Sequence, residues 1–228
     1  MNTIQINDII HHYQKIGTGK PVVLVHGNGE DHTIFKTAIE QLVSAGYCVY
    51  APDSRGHGAT GASNPPVSEF HYADMADDIC AFIQALHLEK PAYYDFSDGG
   101  IIGLLLELRH PRTVGIMAIS GTNLSPDGLE EAFVAECRKV YETSHDPLTA
   151  LMLNEPHIDP ALLNHITVPV LITAGDYDII QSEETRKISK NLPYSTLTII
   201  GNADHVSYVV NSEIMGELLI RFLQGHDY

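Results

Sequence analysis

A serine set between an apolar run and a pair of glycines is the first place in this chain where chemistry could be done. In Tyr94-Asp95-Phe96-Ser97-Asp98-Gly99-Gly100 the residues before Ser97 read as a buried strand, and those after it as a helix that starts on glycine. A sharp turn from one to the other holds the hydroxyl clear of both elements and aims the backbone N–H of Asp98 at the same spot. Gly99, Gly100 and Gly103 would let that helix approach a sheet closely. The plainer reading of Ser97 is a helix N-cap. To act as a nucleophile at neutral pH it needs a base within hydrogen-bond reach and a third group that orients the base.

Three other loops offer such parts. Thr173-Ala174-Gly175-Asp176-Tyr177-Asp178 and Gly201-Asn202-Ala203-Asp204-His205 each follow an apolar run, supplying carboxylates and a histidine. If those runs are parallel strands, both loops emerge at the same edge as Ser97. Upstream, His26-Gly27-Asn28-Gly29 follows another apolar run, and its glycines permit a tight turn. The backbone N–H groups of Asn28 and Asp98 could then converge as an oxyanion hole. As a nucleotide-binding fingerprint the same stretch fails, because the GxGxxG spacing needs glycine where His32 stands.

The elements that must position these loops are legible in the periodicity. Residues 3 to 16 hold two extended stretches broken at Asn7-Asp8, which predicts an opening hairpin. VVLV after Pro21, YCVYAP at 47–52, PAYYDF at 91–96, VGIMAIS at 114–120, VPVLITA at 168–174 and STLTII at 195–200 read as further strands, several apolar on both faces. Between them, Phe35, Ile39, Leu42 and Val43 fall on one helical face ending at Gly46, and Met75, Ile79, Phe82, Ile83 and Leu86 on another. Helices are also expected over 98–110, ended by Pro111, and over 211–224. Such alternation predicts an α/β fold: a doubly wound, mostly parallel central sheet with helices on both faces.

One domain over 1–228 is expected from the length. Only residues of about 122 to 165 break the rhythm, with two short helical patterns among Pro126, Pro147, Pro156 and Pro160. An insertion there is placed to form a lid over the strands' C-terminal edge. Its Phe133, Leu151 and Met152, with Phe70 and Tyr72 from another loop, are candidate substrate contacts; helical spacing gives them plain packing as the alternative.

Composition narrows the partners. The formal charge of −16, from 13 Lys plus Arg against 29 Asp plus Glu, disfavours nucleic acid and anionic membranes. No apolar run is long enough to span a bilayer, and the N-terminus lacks the pattern of a signal peptide, so a cytoplasmic protein is expected. Three cysteines without CxxC spacing read as buried thiols. Thirteen histidines match no HExxH or zinc spacing, so neither metal nor cofactor is expected.

Taken together, His26-Gly27-Asn28-Gly29, Asp53-Ser54-Arg55-Gly56-His57-Gly58, Phe96-Ser97-Asp98-Gly99-Gly100, Gly175-Asp176-Tyr177-Asp178 and the His205 loop follow the order of the α/β-hydrolase fold family, which the chain resembles from about residue 20 to 224. The resemblance implies a Ser97–His205–Asp178 triad, with Asp176 as fallback for the acid; Asp204 adjoins the histidine and is poorly placed to face it. The family's elbow is usually written GxSxG, and Asp95 occupies its first glycine position. Arg55 and His57 read as local turn structure. The implied activity is hydrolysis of a small or medium ester through an acyl-enzyme, with a small molecule as the partner. Thioester hydrolysis, C–C hydrolysis, acyl transfer and perhydrolysis on the same residues remain open, as does a slow-turnover ligand sensor. Haloalkane dehalogenation fits less well: that branch uses a carboxylate where Ser97 stands, and usually a tryptophan, which this chain lacks.

Overall fold

Strands made of unbroken β-branched and aromatic residues must be covered on both faces. In the computed structural model, which describes residues 1–228, those runs form one eight-stranded sheet. β1 (Asn2–Ile6) and β2 (Ile9–Gly17) make the opening hairpin, which pairs antiparallel with β4 (Tyr47–Pro52). From β4 onward the sheet is parallel, through β3 (Lys20–Val25), β5 (Ala92–Phe96), β6 (Ile116–Ser120), β7 (Val170–Tyr177) and β8 (Ser195–Asp204). The spatial order is β1-β2-β4-β3-β5-β6-β7-β8.

The helices are α1 (Lys36–Ser44), α2 (Gly58–Ser63), α3 (Tyr72–Ala85), α4 (Asp98–Arg109), α5 (Glu131–Ser144), α6 (Pro147–Asn154), α7 (Ser182–Asn191) and α8 (Glu213–Gly225). The period-two alternation of the strands feeds two cores. Val22 and Leu24 join α1 and α8 residues such as Leu42 and Leu219 on one face; Val23 and Val25 join Tyr72, Phe82, Leu104 and Ile188 from α3, α4 and α7 on the other. This double coverage is what the all-apolar runs anticipate.

Two helices were not evident in the sequence. α2 is built from small residues, and α7 buries only Glu184, Thr185 and Ile188, so neither has an apolar stripe. Between β6 and β7 lie α5, α6 and two short 3-10 turns at Pro126–Gly128 and Pro160–His165. α5 has no buried residue at all, and even its Val140 is 47% exposed. No helix is long and apolar enough to cross a membrane.

Strand order reverses direction between β3 and β5, since the chain leaves β3 towards β4 on one side and β5 towards β6 on the other. The resulting crevice at the strands' C-terminal ends is where ligands bind in open α/β sheets. The loops after β3 and β5 flank it.

Candidate active site

Ser97 joins β5 to α4 with φ +55° and ψ −115°, in the left-handed half of conformational space that a residue with a Cβ seldom occupies. Backbone strain of this kind is held only where surroundings over-determine it. Here the Ser97 N–H is fixed by the Ser120 carbonyl at 2.8 Å, and Phe96 below it is buried. The turn leaves the Ser97 hydroxyl outside both elements, facing His205.

His205 follows β8 and Asp178 follows β7, on adjacent parallel strands. The imidazole Nδ1 lies 2.6 Å from Asp178 Oδ1, and Nε2 lies 3.1 Å from Ser97 Oγ. Asp178 Oδ1 also accepts the Ile180 N–H and Oδ2 the Gly175 N–H, so the carboxylate is orientated as an acceptor. Its histidine contact must therefore be donated by Nδ1–H, which leaves Nε2 as the acceptor for the serine hydroxyl. The ring is held between Phe96, at 4.8 Å between centroids, and the main chain of Gly121. Gly121 has φ +59°, and a Cβ there would stand 2.6 Å from His205 Cε1. Nothing in its sequence context had marked Gly121 as part of the site.

The other two aspartates are used differently. Asp176 accepts the Ala203 N–H, while Asp204 accepts from Val206 and Ser207 within its own turn. His205 meets Asp178 alone among the three.

The loop after β3 is pinned from several sides. His26 Nε2 accepts the Ser54 N–H, so its Nδ1–H donates to the Gly27 carbonyl; burial pushes this imidazole down to about 4 and keeps it neutral. Glu30 Oε2 accepts the Gly27 N–H at 3.1 Å, and burial raises the Glu30 carboxyl. The Asn28 side chain donates to Asp98 Oδ2 at 2.9 Å and to the Leu148 carbonyl on α6 at 3.1 Å. Its main-chain N–H meets no acceptor within the protein. Asp98 opens α4, where the first N–H groups have no partner inside the helix. Burial also raises the Asp98 carboxyl, against the opposing pull of the Asn28 amide. Arg55 forms a two-pronged ion pair with Asp78 at 2.7 and 2.8 Å, and His57 Nδ1 bonds the Arg55 carbonyl, so both belong to local structure.

A cavity of about 200 Å³ opens over Ser97, lined by Asn28, Glu30, Phe96, Asp98, Asn123, Leu129, Phe133, Met152, Ile179, His205 and Val206. Phe133 and Met152 are thus at the site, but three of the expected substrate contacts are not. Leu151 is buried in the core, because adjacent helical residues point about 100° apart and α6 turns Met152 towards the cavity. Tyr72 is also fully buried, its ring packed in the core and its hydroxyl beside Asp98. Phe70 fills the space left by Gly56 and lines a separate cleft of about 460 Å³ with Pro65, Val67 and Leu148. Glu30, Asn123 and Ile179 are pocket residues that the sequence did not single out. The cluster of metal-ligand type, Asp31, His32 and Asp53, has its polar atoms engaged internally: His32 bonds Asp53 at 2.7 Å and Asp31 caps the turn at Thr33.

A serine on a strained strand-to-helix turn, faced by a histidine and a carboxylate from later strands of a mostly parallel sheet, is the arrangement that α/β hydrolases share. The model of the α/β hydrolase fold family matches residues 20–136, and the chain belongs to that family. The AB hydrolase superfamily protein YisY of Bacillus subtilis is 34% identical over 97 residues, a match spanning 42% of this chain and 35% of that relative. Human serine hydrolase BPHL is 26% identical over 253 residues, covering 97% of this chain and 85% of that protein. Among solved structures, the esterase EaEST from Exiguobacterium antarcticum superposes with a TM-score of 0.84 at 21% identity, over 97% of this chain and 98% of that one. That likeness concerns the fold.

Proposed function

We propose that the protein is a serine hydrolase that cleaves small or medium carboxylic esters through an acyl-enzyme. The observation that carries this reading is the continuous hydrogen-bonded relay from Ser97 Oγ through His205 to Asp178, at 3.1 and 2.6 Å. His205 Nε2 takes the hydroxyl proton as Ser97 attacks the ester carbonyl, and Asp178 steadies the imidazolium that forms. The N–H groups of Asn28 and Asp98 receive the developing oxyanion. His205 then gives its proton to the departing alkoxide, and water repeats the sequence to release the acid.

The cavity supports the size of substrate. About 200 Å³ is below the usual range for drug-sized ligands, so a short acyl group fits and a long chain does not. Phe133 and Met152, both from the segment between β6 and β7, supply apolar walls, and that segment acts as a lid.

A series of p-nitrophenyl esters from acetate to dodecanoate tests the reading. The expected result is hydrolysis that favours the short acyl chains, with a burst of p-nitrophenol equal to the enzyme present when deacylation is slow. Absence of turnover on every ester, with Ser97 still reactive, would shift the reading towards a ligand sensor.

A further inference from the structure

Asp95 stands two residues before Ser97, at the position where the family's elbow usually carries glycine, and it is fully buried. Neither of its carboxyl oxygens has a hydrogen-bond partner, and the buried hydroxyl of Thr122 has none either. The two groups lie together. A side chain built on Gly100 would meet Thr122 Oγ1 at 1.8 Å and Asp95 Oδ1 at 2.7 Å, so both groups border the space that the missing Cβ leaves, close enough for a small side-chain rotation to join them. Buried polar atoms left unpaired are rare in folded proteins and each calls for a physical reason.

A carboxylate here would face no cation. The ionisable groups around it are the phenols of Tyr93 on its own strand, Tyr94 and Tyr208, each pushed up by burial. Burial drives the Asp95 carboxyl far above the ordinary range, and the Ser120 backbone is the sole influence favouring the anion. Buried with no cation and no donor to either oxygen, the group favours its neutral, protonated form. An acid carries an O–H, and Thr122 Oγ1 can accept it.

We propose that Asp95 donates a hydrogen bond to Thr122 and so ties the strand bearing Ser97 to the segment that backs His205. This makes Asp95 a positioning residue, and it rests on the reading of Ser97 and His205 as the reacting pair. The link is short in chain terms. Thr122 follows Gly121, whose main chain lies against the His205 ring and whose N–H is held by the Thr173 carbonyl, and Ser120 fixes the Ser97 N–H. Residues 120 to 122 thus touch the nucleophile and the base together, and the Asp95 bond closes the remaining side.

The sign of the pH dependence follows. A carboxyl with a raised folded-state value keeps its proton above the range where the unfolded chain loses one, so its contribution declines as pH rises through that folded value. Ionisation removes the donor and leaves a buried anion, so activity should fall on the alkaline side. Asparagine at 95 cannot ionise and still offers an N–H to Thr122.

Infrared spectra at neutral pH, combined with kcat and KM against pH, test the proposal on wild type, Asp95→Asn and Thr122→Val. The expected result is a protonated-carboxyl carbonyl band in wild type that is absent from Asp95→Asn and displaced in Thr122→Val. With it, kcat in Thr122→Val should fall about five-fold, the effect of one hydrogen bond of about 1 kcal/mol, while KM holds. The alkaline fall in kcat should move or vanish in Asp95→Asn. A wild-type spectrum unchanged by Asp95→Asn overturns the neutral acid, and a band indifferent to Thr122→Val overturns the bond. Unaltered kcat and pH profile in both variants overturn the positioning role. If Asp95→Asn does not fold, wild type against Thr122→Val carries the same test. Should Ser97 not be the nucleophile, Ser97→Ala will keep the wild-type turnover, while the infrared bands still report on the Asp95–Thr122 pair.

Discussion

The strand-end loops and the helical segment between β6 and β7 are built on opposite principles. Ser97 and Asp178 follow strands that are wholly or largely buried, His205 follows the more exposed edge strand β8, and every polar atom in their relay has a partner. Across the cavity, α5 buries none of its residues and meets the site through Phe133. The proposed reacting groups sit on the rigid part, where a displacement of an ångström would cost most, and the proposed substrate walls sit on the part that can change without disturbing the sheet.

Breaking the rigid side should therefore cost far more than altering the helical side. Ser97→Ala or His205→Ala is expected to lower kcat by about 10⁵-fold in ester assays with folding intact, and Asp178→Asn by about 10⁴-fold, since the amide no longer fixes the imidazole's tautomer. A drop below tenfold for Asp178→Asn would point to another acid. Gly121→Ala places a methyl group 2.6 Å from His205 Cε1, too close to be accommodated, and should reduce kcat by roughly 10²-fold through displacement of the base. A crystal structure of that variant with His205 unmoved would contradict the reason given.

The loop after β3 can be tested by acid. His26 takes a proton near 6.5 when unfolded and only near 4 when folded, so between those values the unfolded chain binds more protons. Stability should fall as pH drops across that window, by about 3 kcal/mol for this group. Urea midpoints measured at both ends should show the loss in wild type, and His26→Gln should flatten the slope. The smallest effects belong to the helical side. Phe133→Ala and Met152→Ala should raise KM about three- to ten-fold and shift the preferred acyl length, with kcat nearly unchanged.

Much of this comparison could be read in the sequence, and what escaped has a physical cause. The parallel strands were visible because burial on both faces leaves runs such as VVLV and YCVYAP without a polar residue. The loops carrying Ser97, Asn28 and Asp178 were visible because each follows a largely apolar run, and that of His205 because it follows the alternating STLTII. α7 escaped because charged residues cover most of its surface, and α2 because it is made of small ones. Leu151, Tyr72 and Phe70 were assigned to the substrate by apolar character, whereas the direction of a side chain is set by packing that a linear pattern does not encode. Gly121 and Glu30 act through backbone geometry and a local hydrogen bond, and neither leaves a periodic trace.

The most direct measurement of the central claim is covalent labelling by a fluorophosphonate probe, read by intact mass and by mapping of the modified peptide. One probe per chain is expected on Ser97, with slow labelling in His205→Ala and none in Ser97→Ala. Undiminished labelling of the Ser97→Ala protein would contradict that claim.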